Sequence, residues 1–231
     1  MAWCSRHVDI LIAMPHSGGE VYFDWSMNFA QVYKHAPPNT FIISAPEPQI
    51  DTAREKLCEM ALNMGAKYMF WLDTDVLPPV DVIDRLLRDS MKHNAPIVSG
   101  LYARRHHPCF NEMMLHGKDA QGNEGFIPIA EGQYEKDSVI FADAVGFGCV
   151  LLKTEILKHV EKPWFRWTEH KTMSGLSEDF YFCKKAREAG FRVVVDTSVV
   201  CRHMGPIKIL PSTGAQGLFE FKAPGNAYTD I

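Results

Sequence analysis

Between residues 8 and 101, short apolar runs alternate with segments of helical period, and that alternation restricts the chain to few architectures. The runs 8–14, 40–45, 67–72 and 96–101 are strand-sized, and several are bounded by Pro, Gly or acidic residues. Residues 21–33 between the first two are helix-compatible. Thr52-Ala53-Arg54-Glu55 fits a capping box, Ala53, Leu57, Ala61 and Met64 recur at helical spacing, and Gly65 stands where a left-handed C-cap belongs. Val82, Ile83, Leu86, Leu87 and Met91 mark a third helix. The order β-α-β-α-β-α-β is that of a parallel α/β sheet. Within it, residues 67–72 are nearly all apolar, as in a strand covered on both faces, and end abruptly at Asp73-Thr74-Asp75.

Beyond Tyr102 the period is lost, and residues 102–138 are polar enough to be irregular or hairpin-like. Regularity returns with a strand at 139–144, the Gly146-Phe147-Gly148 turn, a strand at 149–153 and a short helix from Thr154 that Pro163 ends. Ser177 then caps a helix with Glu178 and Asp179 in its first turn and Gly190 after it, and strands follow at 191–195 and 199–203. These signals predict one domain over 1–205, with a ligand-binding half (1–101) and a second half (102–205) containing a smaller antiparallel element. A Gly- and Pro-rich tail (206–231) has no period. With 231 residues, 46% of them apolar, the chain is long enough to bury one sizeable core.

The formal net charge of -4 provides no positive field to gather nucleic acid or an anionic membrane surface. The apolar run at 8–14 is too short to span a bilayer and no leader pattern precedes it, so a cytoplasmic protein without a transmembrane segment is expected. Six cysteines without a C-x-x-C pair read as reduced thiols.

Five features carry chemistry. Asp73 and Asp75, one residue apart at a strand end, repel each other if unpaired, and a hard divalent cation resolves that repulsion. Ligands bind at the carboxyl edge of open α/β sheets, where these acids fall. Glu178 and Asp179 open a helix whose dipole favours ionised carboxylates. His203 follows the last strand, and an imidazole suits Mn²⁺. Pro163-Trp164-Phe165-Arg166-Trp167 concentrates aromatics that either pack a core or offer a platform to the apolar face of a sugar. Arg104-Arg105-His106-His107 is a basic cluster, either solvated or facing a phosphate.

Together these parts resemble a GT-A-fold, nucleotide-sugar-dependent glycosyltransferase of the inverting type, similar to bacterial and viral members. Leu72-Asp73-Thr74-Asp75, Ala144-Val145-Gly146-Phe147-Gly148, Ser177-Glu178-Asp179 and His203 occur in that family's order, and the resemblance covers roughly residues 8–205. It implies a mostly parallel Rossmann-like sheet flanked by helices, and transfer of a sugar, a hexose by expectation, from a UDP or GDP donor to a saccharide, glycan or lipid-linked hydroxyl. By the resemblance, Pro15, His16, Ser17, Arg54, Asp73 and Asp75 meet the donor; Asp73, Asp75 and His203 hold Mn²⁺ or Mg²⁺. Asp179 is the base with Glu178 beside it, and Asp143, Gly146, Trp164 and Phe165 face the acceptor. Only Glu47, in Ala45-Pro46-Glu47-Pro48, is available where family members read the nucleobase with an acid. Two alternatives are a catalytically inactive sugar- or nucleotide-binding module and a phosphatase of the haloacid-dehalogenase type. Against the phosphatase, Leu77 occupies the place of that motif's usual Thr or Val, and D-x-D ends the third strand rather than the first.

Overall fold

The computed structural model describes residues 8–105, 109–118, 122, 124–168, 176–205, 208–209 and 219–220. In chain order the elements are β1 (Ile10–His16), α1 (Phe23–Lys34), β2 (Thr40–Pro46), α2 (Ile50–Met64), β3 (Tyr68–Leu72), β4 (Val76–Leu77), α3 (Val82–Lys92) and β5 (Ile97–Leu101). There follow β6 (Met113–Lys118), β7 (Glu124–Pro128), β8 (Val139–Ala142), β9 (Ala144–Val145), β10 (Cys149–Lys153), a 3-10 turn (Thr154–Lys158), α4 (Glu178–Glu188), β11 (Val193–Val200), β12 (Arg202–His203), β13 (Lys208–Ile209) and β14 (Phe219–Glu220).

The central sheet has seven strands in the order β2-β1-β3-β10-β5-β11-β8. Strands β1, β2, β3, β5 and β11 run in one direction, while β10 and the edge strand β8 run against it. The expected run of four parallel strands is therefore interrupted: β10 inserts between β3 and β5, pairing Val150 with both Trp71 and Ser99. Its apolar sequence, Cys-Val-Leu-Leu, suits a strand with both faces covered, and that pattern does not reveal direction. The insertion brings the Gly146-Phe147-Gly148 turn, just ahead of β10, to the carboxyl edge of the parallel strands.

Alternate side chains of the strands feed two apolar layers. Leu11, Ala13, Met69, Trp71, Val150 and Leu152 pack with Leu57 and Ala61 of α2 and Phe182 and Ala186 of α4. Ile10, Ile12, Phe70, Leu72, Val98 and Leu151 pack on the other face with Val32 of α1 and Ile83 and Leu86 of α3. All the strand residues named here are at most 2% exposed, which the period-2 geometry of a strand covered on both faces requires. The two-sided covering expected of β3 is present. Gly65 caps α2 at φ +66°, as expected. The capping box is not used, because α2 begins at Ile50 and Thr52 lies within its first turn; Asp51 accepts the Thr52 N–H at 2.7 Å instead.

Two small antiparallel sheets complete the fold. Strands β6 and β7 form a hairpin with β9 beside it, in the stretch that the sequence leaves irregular or hairpin-like. Strand β12 pairs with β4, Arg202 opposite Leu77 and His203 opposite Val76. The backbones of β13 and β14 extend that sheet, so the tail is not wholly irregular. Among the described residues no helix is long and apolar enough to cross a membrane.

The two glycines of the turn into β10 leave no room for a side chain. A Cβ on Gly146 would lie 2.1 Å from the Tyr102 hydroxyl, and one on Gly148 2.9 Å from Val76 Cγ2. Gly146→Ala is expected to destabilise the protein by about 1–3 kcal/mol, the usual cost of overpacking a closed contact, measured by urea unfolding. Tyr102→Phe in the same chain removes the nearest clashing atom and should recover part of that loss.

Candidate functional site

A cleft of about 710 Å³ opens at the carboxyl edge of the parallel strands. Its floor is the turn between β3 and β4. Asp73 and Asp75 lie in this turn, not on the strand itself, where the Val76 N–H donates to the Asp73 carbonyl at 3.2 Å. The turn is held by its surroundings: the Trp25 indole of α1 donates to the Asp73 carbonyl at 2.9 Å, and the Asp73 N–H to the Gly148 carbonyl at 3.1 Å.

Behind the floor lies Arg54, 2% exposed. Its Nε donates to Glu178 at 3.2 Å, Nη2 to Asp73 at 3.2 Å and Nη1 to the Phe147 carbonyl at 3.5 Å. Trp71, Phe147 and Phe165 surround the guanidinium, 5.3, 5.6 and 5.9 Å from its carbon to the ring centroids. Burial alone would weaken the charge, but Asp73, Glu178 and Asp179 raise its pKa above the ordinary arginine value. Arg54 lines the cleft yet has its donors committed to the protein, so it braces D-x-D and α4 together instead of presenting a free cation to a donor.

The two D-x-D acids differ. Burial pushes Asp73 up to about 6 against the pull of Arg54, with Asp75 and Glu178 adding to the rise. Asp75 is also raised by burial, but the His203 hydrogen bond and charge, together with Arg105, hold it below the ordinary carboxylate range. Arg105 Nη1 stands 2.8 Å from Asp75 Oδ2, and His203 Nε2 stands 3.4 Å from Asp75 Oδ1. His203 reaches this place through the β12–β4 pairing, reinforced by the Met204 N–H donating to the Asp75 carbonyl. Its Nδ1 is 2.8 Å from the Ala103 carbonyl, which can only accept, so Nδ1 carries the hydrogen. Nε2 is then the ring nitrogen turned toward Asp75 Oδ1, so an imidazole and a carboxylate, both able to serve as metal ligands, stand side by side at the cleft floor.

Among the described residues no three His, Cys, Asp or Glu side chains form a ready metal cage. Of the expected trio, Asp75 and His203 are brought together with the carboxylate and imidazole donors that suit Mn²⁺, while Asp73 is held by Arg54.

Ser177 caps α4, and the Ser177 hydroxyl and the Phe180 N–H both donate to Asp179 Oδ1, the latter at 2.8 Å. The expectation of an ionised Asp179 is corrected. Burial and the charge of Glu178 push its carboxyl up to about 7, outweighing Ser177, Arg54 and the helix dipole. Glu178 turns inward to Arg54, while Asp179 lines the cleft beside Tyr102, whose hydroxyl accepts the Gly148 N–H at 3.0 Å.

Pro15, His16, Ser17 and Glu47 line the cleft at the ends of β1 and β2. The four expected acceptor residues do not line it. Trp164 and Phe165 are 3% and 2% exposed: the Trp164 indole donates to the carbonyls of Leu157 and Val160, and Phe165 stacks on Phe182 with centroids 4.7 Å apart. Asp143 pairs with Arg187 at 2.7 Å, and Gly146 packs against Tyr102. The cleft is lined instead by Phe110, Glu112, Met114, Phe126, Trp167 and Phe180. Trp167 belongs to the aromatic cluster already singled out; Glu112 and Phe126 come from the aperiodic stretch, where no period points to them. Of the basic cluster, Arg104 and Arg105 line the cleft, and His106 and His107 lie outside the described residues.

No family model and no curated protein matches the chain in sequence. Its structure is similar to that of A197 from STIV, with a TM-score of 0.62 and 16% identity, covering 97% of this chain and 100% of that one. It is also similar to GalNAc-T7, crystallised with UDP, GalNAc and Mn²⁺, with a TM-score of 0.53 and 12% identity over 86% of this chain. The match spans 44% of the GalNAc-T7 chain. The fold is of the GT-A kind.

Removing the guanidinium leaves the buried Glu178 carboxylate without its partner. Arg54→Met is expected to cost about 3–5 kcal/mol in urea unfolding, and Arg54→Met combined with Glu178→Gln should cost less than the single change.

Proposed function

We propose that the protein is a metal-dependent glycosyltransferase that moves a sugar from a nucleotide-diphosphate donor to an acceptor hydroxyl, with inversion at the anomeric carbon. The observation that carries this reading is the convergence of Asp75, His203 and Asp179 on one cleft of a GT-A fold, from segments far apart in the chain. GalNAc-T7, with UDP, GalNAc and Mn²⁺ in its structure, supports the class of ligand.

The nucleotide lies over Pro15, His16, Ser17 and Glu47, with its diphosphate toward D-x-D. Asp75 and His203 are the residues that would hold Mn²⁺ or Mg²⁺. Such an ion supplies Lewis-acid stabilisation of the negative charge that grows on the leaving diphosphate. Arg105, half-exposed and drawn to Asp75, is close enough to the same place to add a second positive charge.

Asp179 accepts the proton of the acceptor hydroxyl as its oxygen attacks the anomeric carbon, and the bond to the diphosphate oxygen breaks on the opposite face. A carboxyl pushed to about 7 is a better base than an ordinary aspartate once ionised, and it is ready to take a proton near neutral pH. Arg54 and Glu178 act behind it, fixing the start of α4 relative to the floor.

Three outcomes test the reading. Asp179 must lose its own proton before it can take another, so the transfer rate should rise with pH through about 7 and level off above it. Asp179→Asn should lower transfer by about a hundredfold or more and abolish that rise, without weakening UDP or GDP binding. In isothermal titration, Asp75→Ala should lose the part of UDP or GDP affinity that depends on Mn²⁺. Affinity equal to wild type with Mn²⁺ present would remove the D-x-D from the mechanism.

A further inference from the structure

Opposite the nucleotide edge, the cleft is walled by the β6–β7 hairpin and the first turn of α4, and its side chains are of two kinds. Phe126 and Phe180, both partly exposed, stand with ring centroids 5.5 Å apart, and Phe110 and Pro128 continue the apolar wall. Beside the acids at the start of α4, this wall carries one further carboxylate, Glu112. Its backbone is fixed on both sides: the Glu112 N–H donates to the Tyr102 carbonyl at 2.9 Å, and the Gly146 N–H to the Glu112 carbonyl at 3.1 Å. Its side chain is partly buried and lines the cleft; burial raises its pKa against the charges of Arg104 and His203, but no described residue gives its carboxylate a hydrogen bond or a close ion pair. Its negative charge is felt at Asp179, which places the two acids at one site.

A carboxylate half-removed from water without a donor needs one from the ligand. Its two oxygens accept two hydroxyl hydrogens at once, as adjacent hydroxyls on a ring present them. Aromatic faces beside it suit the C–H face of the same ring. A long alkyl chain would leave Glu112 buried without a donor, and an acidic peptide would be repelled by Glu112 and Asp179.

We infer that the acceptor is a saccharide whose ring rests on Phe126 and Phe180, with two adjacent hydroxyls held by Glu112 so that a further hydroxyl faces Asp179. This rests on the glycosyltransferase reading and assigns Glu112 as the residue that selects and orients the acceptor.

The test uses the full chain and the methyl glycosides of glucose, galactose and mannose, followed by saturation-transfer NMR. Dodecanol and a serine-containing peptide serve as competing probes, and UDP and GDP titrations with Mn²⁺ run in parallel. At least one glycoside should receive saturation at its ring protons from the wild-type chain. Glu112→Gln, which keeps the shape and removes the charge, should weaken that glycoside by about tenfold, the worth of a charged hydrogen bond. Phe126→Leu, which keeps the bulk and removes the ring face, should weaken it as well, and neither change should alter nucleotide affinity. If one variant fails to fold, as read from its thermal midpoint, the other decides. Nucleotide binding with no glycoside binding, or glycoside binding indifferent to both variants, would overturn the inference and leave the glycosyltransferase reading standing. Binding of dodecanol or the peptide in place of every glycoside would also overturn it. Absence of nucleotide binding would strike the underlying reading instead.

Discussion

Arg54 is a full positive charge, 2% exposed, inside a ring of aromatic side chains, and the architecture of the cleft follows from satisfying it. A guanidinium in such a place is stable only if its fixed fork of N–H groups meets acceptors in matching directions. Glu178, Asp73 and the Phe147 carbonyl meet that demand. They come from α4, from the turn after β3 and from the turn before β10, so one side chain on α2 ties together the segments that form the floor and one wall. The aromatic residues around it are equally committed. Phe165 stacks on Phe182 and Phe147 meets both edge-on, which is why Phe165 cannot also be a platform for a ligand.

This bracing leaves the cleft acids with different characters. Asp75 is surrounded by Arg105 and His203 and stays ionised, as a group that must attract positive charge and phosphate requires. Asp179 is partly buried beside Glu178 and carries its proton more readily, as a group that must accept one near neutral pH requires. The same fold thus drives two aspartates in opposite directions, one through nearby cations and the other through desolvation and a like charge. Helix N-termini favour ionised acids, but for Asp179 that effect is the smaller one.

The long stretch between β5 and β8 supplies the opposite wall. Its hairpin has few buried residues outside Met113 and Met114, and it presents Phe126 and Glu112 to the cleft instead of to the core. A segment that contributes little to the core is free to shape a ligand surface, which accounts for its lack of any regular apolar period.

The alternation of strands and helices through residue 101, the Gly65 cap, the placement of α4 after Ser177 and the D-x-D at the carboxyl end of an apolar strand are local properties, and the sequence by itself determined them. Period, capping and turn chemistry are set by neighbours a few residues apart. The insertion of β10 against the parallel direction was not determined there, because an apolar strand reads the same in either direction. Nor was the fate of Arg54, which local sequence marks as a helix-start cation and tertiary contacts make a buried brace. Trp164 and Phe165 were legible as an aromatic cluster, but whether such residues face a ligand or a core depends on which helices pack over them. His203 meets Asp75 only because β12 pairs with β4, and Glu112 reaches the cleft only because the hairpin folds across it. In each of these cases the deciding partner is distant in sequence, and burial, which sets the charge and exposure of every group in the site, exists only once the whole chain has packed.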